Sequence, residues 1–418
     1  MKRFNILQIV FILFVIQLCG CQSIQSPENL NASISQNDEL SWEWVVEPTK
    51  YKDLSFVDEN LLAAQNDDGK YSVIDTHDNI VISAKYDSIS EFHDEIAKVE
   101  SNGNSFYIDK SGNPITDEMF QEVNGFSESL GGVKKNGLWG FINTLGEVVI
   151  AYQFDDIALF SEQRAAVKVG EKWGFINESG ELVINNQFDQ VQNFSESLAA
   201  VKLNDKWGFV DNLGKVIAEY QYDDVKSFSE GYAAVMKNDK WGFIDKEGKE
   251  CIDLKYDAVG DFSEGKASVQ IINYKEHMDA WAYIDKKDNV IIDFYPYDAA
   301  EGRMIWTGKF KDGIAFVSKT LYCIIDEKGN DIFAGDSIFF ISGLEYNSEY
   351  DAIPAYVYTD EKMTIQKYGL MGIKGNQRLE PVFDYIYGIK GNILIVEKII
   401  DGEYKKGIIR LPEPSERN

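Results

Sequence analysis

The side chains able to do chemistry are unevenly supplied in this 418-residue chain. There are three histidines, His77, His93 and His277, while Asp and Glu number 69 against 41 Lys and Arg. A zinc site needs histidines or cysteines at ligand spacing, and none of these histidines has such a neighbour in sequence, so surface histidines and no metal are expected. Beyond residue 21 the cysteines are Cys251 and Cys323. They fall at different places in their units, so two small buried thiols are expected rather than a disulfide. Turns such as Asp211-Asn-Leu-Gly lack the alternating acid ligands and closing Glu of a calcium loop. The chain has no Gly-x-Ser-x-Gly elbow, P-loop or dinucleotide fingerprint, so no cofactor is expected. A glycosidase needs one facing carboxylate pair, whereas here the acids recur in register along the chain.

That recurrence directs attention to the elements carrying the acids. Trp139-Gly140, Trp173-Gly174, Trp207-Gly208 and Trp241-Gly242 repeat at a constant spacing of 34 residues. An aromatic-Asp pair keeps the same phase at Tyr86-Asp87, Phe154-Asp155, Phe188-Asp189, Tyr222-Asp223 and Tyr256-Asp257, as do Phe-Ser-Glu and Ala-Ala-Val. A fixed period of this size marks a stacked array. The Trp-Gly slot continues in degraded form at Tyr71 and Ser105, and beyond 265 at Trp281, Tyr322, Tyr368 and Lys406, which makes ten units. Short runs of Val, Ile, Phe and Ala between turn residues read as strands. The first turn, for example Asn136-Gly137 or Asn204-Asp205, suits a hairpin that needs positive φ. The second turn carries glycine at 112, 146, 180, 214 and 248, suited to a left-handed position beside a bulge. The fold class is all-β. Each unit reads as a three-stranded antiparallel meander, and the array as a superhelical, solenoid-like stack, with a propeller as the alternative. The indole is expected to pack into the neighbouring unit, and the glycine to admit another backbone or ring.

Residues 1–20 read as a signal peptide, with Lys2 and Arg3 ahead of an apolar run too short to span a bilayer. Leu18-Cys19-Gly20-Cys21 resembles a bacterial lipobox, which implies lipidation at Cys21. Residues 21–50 then form a polar tether and an N-terminal cap, with Trp42 and Trp44 opening the ordered part. The regular array follows at 51–265, looser units at 266–410 and a tail at 411–418. The expected address is outside the cytoplasm on a bacterial membrane, held through the N-terminal lipid only. A formal charge of −28 argues against nucleic acid as a partner.

The run Lys-Trp-Gly-Phe-Ile-Asp, then Gly, Val-Ile, aromatic-Asp, Phe-Ser-Glu and Ala-Ala-Val resembles the WG-repeat family of bacterial proteins. The resemblance covers roughly 60–410 and implies a β-rich scaffold used for binding, with no catalytic residues to carry over. Long loops on a rigid repeat tend to hold binding residues. The inserts at 270–281, 299–313 and 335–366 carry Tyr274, His277, Arg303, Trp306, Tyr346, Tyr350, Tyr356 and Tyr358. The leading expectation is a non-catalytic, monomeric, lipid-tethered scaffold for a protein or a surface glycan. The alternatives are a hydrolase with its site in the C-terminal loops, and a purely structural envelope protein.

Overall fold

The computed structural model describes residues 40–273, 278–293, 306–318, 322–335, 338–340, 346–359, 365–374 and 376–413. Its described part is a succession of ten antiparallel sheets, nine of four strands and one of three. In blade 5 the strands are Gln190–Val191, Leu198–Leu203, Lys206–Asp211 and Val216–Tyr222, paired in that order. The expected meander supplies the last three. The fourth partner is a two-residue strand that follows the aromatic-Asp pair, too short to register as a strand in sequence. In the three-stranded blade the fourth position is held by isolated bridges, Ile108 with Pro114 and Ser105 with Phe120.

The turns follow from backbone sterics. Asn136, Asn204 and Asp205 have φ of 52°, 51° and 63°, and the second-turn glycines 180 and 214 have φ of 80° and 83°. A third tight turn follows Phe-Ser and places Glu162 at φ 53° and Gln163 at 63°. Neither residue favours that region. This turn was not anticipated from composition.

Each of blades 3 to 6 overlaps the next because one residue joins them. Tyr222 ends blade 5, and Asp224–Val225 opens blade 6. In these blades the third strand therefore lies against the first strand of the next, and the fourth against the second. Each interface is a dry apolar layer. Between blades 5 and 6 it contains Trp207, Phe209, Tyr222, Phe228 and Val235.

The array closes on itself. Glu43–Val46 pairs antiparallel with Glu403–Arg410, so the first described strand completes the last sheet. That tenth blade packs on blade 9 through Tyr368, Leu370, Phe383, Ile386 and Val396. It packs on blade 1 through Val46, Leu54, Leu62, Ile393 and Ile408. Lys406 Nζ meets Asp53 Oδ1 across this seam at 2.6 Å. The molecule is a ten-bladed β-propeller. The solenoid-like stack is therefore corrected: the unit-to-unit contact is solenoid-like, but the strand exchange at 43–46 leaves no free ends. For the same reason Trp42 and Trp44 do not cap the first unit. They pack on Phe383 and belong to the seam between blades 9 and 10.

Candidate functional site

The repeated residues form an inter-blade stitch. The phenylalanine after Trp-Gly meets the phenylalanine of Phe-Ser-Glu in the next blade edge to face, as in Phe141–Phe160, Phe175–Phe194, Phe209–Phe228 and Phe243–Phe262, with centroids 4.9–5.1 Å apart. Tyr107–Phe126 and Tyr283–Phe310 extend the series into less regular units. The serine hydroxyl donates to the carbonyl of the next phenylalanine: Ser161 to Phe194, Ser195 to Phe228 and Ser229 to Phe262, each at 2.9 Å. The glutamate reaches the turn of the following blade. Glu162 accepts the Glu196 N–H at 2.8 Å and the Ser197 N–H at 2.7 Å, and Glu230 does the same for Glu264 and Gly265. Burial alone would raise the Glu230 carboxyl. The Gly265 N–H, Lys286 and the Glu264 N–H outweigh it and hold the pKa below the ordinary value.

The other recurrent acids also serve the fold. Asp189 Oδ2 accepts the Asn204 N–H at 2.8 Å, and Asp223 Oδ2 the Asn238 N–H at 2.8 Å. Their second oxygens pair with Lys172 and Lys206, the lysines preceding Trp, and these lysine hydrogen bonds are the first cause of both lowered pKa values. At the second turn Asp211 and Asp245 accept N–H groups of their own turn, two and four residues on. Those bonds account for the acids that vaguely resembled a calcium loop. Among the described residues no cluster of three or more His, Cys, Asp or Glu is arranged to hold a metal.

The indoles of the Trp-Gly pairs reach the inter-blade layers, to different depths. Trp139 and Trp207 are buried, while Trp173 and Trp241 are half-buried. A lysine ammonium stands over several of the rings, as Lys202 does over Trp207 at 5.9 Å. The glycine answers to a bulge in its own blade. The register slips between Trp207–Tyr222 and Phe209–Ala218, which drives the Ala218 carbonyl inward. A Cβ on Gly208 would lie 2.5 Å from that oxygen; on Gly140, Gly174 and Gly242 the matching distances are 2.5, 2.4 and 2.4 Å. The close neighbour is thus a backbone carbonyl of the fourth strand, and the blade-to-blade ring contact belongs to the phenylalanine two residues after the indole.

The regular pattern gives way at the seam. Residues of blades 9, 10, 1 and 2, most of them on the first strand or between the first and second strands, line one cleft of about 850 Å³, among them Phe56, Glu91, Asn347, Glu349, Tyr387 and Lys390. Lys390 stands over the Phe56 ring at 5.4 Å. The Tyr387 hydroxyl donates to buried Glu397 at 2.6 Å, and burial with that bond pushes its pKa up. A run of tyrosines leads to this cleft. Tyr358–Tyr356, Tyr356–Tyr368, Tyr368–Tyr385 and Tyr385–Tyr387 have centroids 5.9, 5.1, 5.0 and 4.8 Å apart.

The WG containing repeat model matches residues 71–104, 106–139, 139–173, 173–207, 207–241, 241–275 and 368–404, more than half of the chain. The chain belongs to the WG-repeat family. A search of curated proteins gives no significant match. Among solved structures, a eukaryotic initiation factor is similar at TM-score 0.47 and 12% identity, covering 77% of this chain and 94% of that one. Kluyvelomyces marxianus Hsv2 is similar at TM-score 0.31 and 10% identity, with 55% and 92% covered. PorZ of Porphyromonas gingivalis is similar at TM-score 0.27 and 9% identity, with 88% and 72% covered. Likenesses this distant carry no argument, and the ring is read from its own strand pairing.

Within the WG repeats the matches begin at Tyr71, Phe106 and Tyr368 as well as at the four tryptophans, so the degraded units count as units. The binding candidates named from sequence scatter. Tyr274, His277, Arg303 and Cys21 lie outside the described residues, as does the Trp306 side chain. Tyr346 lines the cleft and donates its hydroxyl to Asp351 at 3.0 Å; burial and that carboxylate push its pKa up to about 12. Tyr350 is only 1% exposed and sits in the core of the seam, so it is corrected from a loop contact to a packing residue. His77 and His93 are exposed. Cys323 is buried, but Cys251 is exposed, which corrects the expectation of two buried thiols: it is the second residue of a fourth strand whose first two positions both face outward. Partial desolvation, then the Asp245 charge, push its thiol up to about 11. Sequence reasoning missed Phe56, Tyr387 and Lys390. Phe56 lies some 330 residues from the other two, and only ring closure brings them together.

Proposed function

We propose that this WG-repeat propeller is a non-catalytic scaffold that binds protein outside the cytoplasm, tethered to a bacterial membrane by a lipid on Cys21. The observation that carries the reading is the use of the recurrent acids. The Glu of Phe-Ser-Glu, the Asp after the aromatic and the Asp of the second turn are committed to N–H groups and lysines of the scaffold. They hold blades together and are poorly placed to act as a catalytic pair. Variation is concentrated at the seam, where the cleft and the tyrosine run interrupt the stitched pattern. On this reading the propeller acts as a monomer, its own last blade having used the pairing edge at 43–46.

Two measurements test this. The full-length chain, tagged at residue 418, is used to capture partners from a cell-envelope extract; failure to retain any protein above the untagged control refutes the scaffold reading. Metabolic labelling with a fatty-acid analogue tests the anchor: label is expected in the unaltered chain and lost in Cys21→Ser. Equal labelling of both refutes lipidation at that residue.

A further inference from the structure

We infer that the seam cleft binds an extended, net-basic peptide, which adds as a strand along Tyr385–Lys390. The inference rests on the protein-binding reading above and names the partner of that scaffold.

The first argument is the length of an unpaired edge. In blades 4 to 7 the first strand has two residues: Asp156–Ile157, Gln190–Val191, Asp224–Val225 and Ala258–Val259. So short an edge offers few main-chain groups to another chain, one of the ways sheets avoid unwanted pairing. In blade 10 the same position is held by Tyr385–Lys390, six residues long; Glu122–Ser127 of blade 3 is as long but does not line this cleft. It pairs with Ile393–Ile400 on one side and is the terminal strand of its sheet, so among the described residues no strand pairs with its other edge. Tyr387, Gly388, Ile389 and Lys390 of this strand line the cleft. An edge of this length beside a cleft is what strand addition requires, with main-chain bonds giving affinity and alternate side chains giving selectivity.

The second argument is Gly388. At Gly140, Gly174, Gly208 and Gly242 a Cβ would strike backbone, and the turn glycines have positive φ. A Cβ on Gly388 would meet Phe56 at 3.7 Å, ordinary contact, and its φ is not in the left-handed region. Neither a clash nor a left-handed φ calls for glycine there, although the register slips between Ile386 and Gly388. Its effect is to leave open the floor of the cleft between Phe56 and Tyr387.

The third argument is charge. The chain carries −28; in the cleft Glu91 and Glu349 face two lysines, Lys390 held over Phe56 and Lys406 paired with Asp53, so the bias towards a basic ligand comes from the molecule as a whole. A basic ligand is drawn in by the field of the whole molecule, an acidic one repelled. Phe56 and Tyr387 supply apolar ring surface to the cleft, with Lys390 over the first at 5.4 Å and Lys406 over the second at 3.9 Å.

The test uses the full-length chain and a fluorescein-labelled octapeptide of alternating Lys and Val with blocked termini, read by fluorescence anisotropy. Saturable binding is expected, and none by the Glu-Val counterpart. Methylating alternate amide nitrogens of the probe should weaken binding about tenfold or more, the loss of two or so main-chain bonds. Gly388→Val fills the floor and should weaken binding by a similar factor, while Leu145→Ala, 74% exposed on blade 3, should leave it unchanged. Equal binding of the methylated probe overturns strand addition, with no dependence on any variant folding. Unchanged affinity in a folded Gly388→Val chain overturns the location. No saturable binding of the Lys-Val probe, or its displacement by cellohexaose, overturns the peptide assignment, the latter in favour of a saccharide. A protein partner captured equally by Gly388→Val and unaltered chains would leave the scaffold reading standing while refuting the cleft.

Discussion

Replacing Phe175 by Ala should destabilise the propeller more than replacing Trp173 by Ala, although Trp173 belongs to the dipeptide that marks the repeat. Phe175 is 1% exposed and lies in the layer between blades 4 and 5, with the Phe194 ring 5.0 Å away at 68°. Truncating a buried phenylalanine costs roughly 3–5 kcal/mol through lost transfer and the cavity left behind. An edge-to-face partner contributes about 0.5–1.5 kcal/mol of that kind of loss. Trp173 is half-buried, so part of its ring is already in water and its removal leaves a smaller void. About 1–2 kcal/mol is expected by area. Urea denaturation read by far-UV circular dichroism suits the comparison, because it does not depend on the fluorescence of the residue removed. The midpoint should fall at least twice as far for Phe175→Ala. If Trp173→Ala is equally or more damaging, the assignment of blade-to-blade adhesion to the phenylalanine pair is wrong.

Glu162→Gln keeps the side-chain shape but turns an amide N–H₂ towards the Glu196 or Ser197 N–H. We expect a loss of about 1–2 kcal/mol, reduced from the usual charge-assisted value because the bonds are exposed. Faster amide exchange at 196–197 should report it, and unchanged exchange there would refute the stitch. Gly208→Ala should cost about 1–3 kcal/mol or more by overpacking against the Ala218 carbonyl, whereas Gly125→Ala, whose Cβ would only touch Leu159 at 3.5 Å, should be mild; equal midpoints for the two would count against the bulge. Glu230 has a folded pKa below its ordinary value of 4.5, so its contribution is present above that value and is lost as pH falls through the folded pKa. Glu230→Gln should therefore lower the melting temperature at pH near 7, by an amount that shrinks as pH falls below 4.5, and a deficit persisting undiminished under acid would contradict the linkage.

Much of the local structure was legible because its causes are local. Strand length, the positive-φ turns at Asn204-Asp205 and Gly214, and the ten-unit count follow from side-chain type at fixed spacing, and neighbouring residues suffice to impose them. The two-residue first strand escaped because two residues carry no period, and the Phe-Ser-Glu turn escaped because its glutamate is unsuited to the left-handed region. That residue stays for bonds it makes 34 positions on in the next blade, a reason visible only in three dimensions. The interface between neighbours is encoded in every unit, but the angle it adds is small, and whether ten such angles close or spiral depends on their sum. Tertiary structure decided that, through Glu43–Val46 pairing with Glu403–Arg410. The cleft shares that origin. Phe56 and Tyr387 share a wall because the two ends of the chain meet, and no spacing along the sequence encodes it.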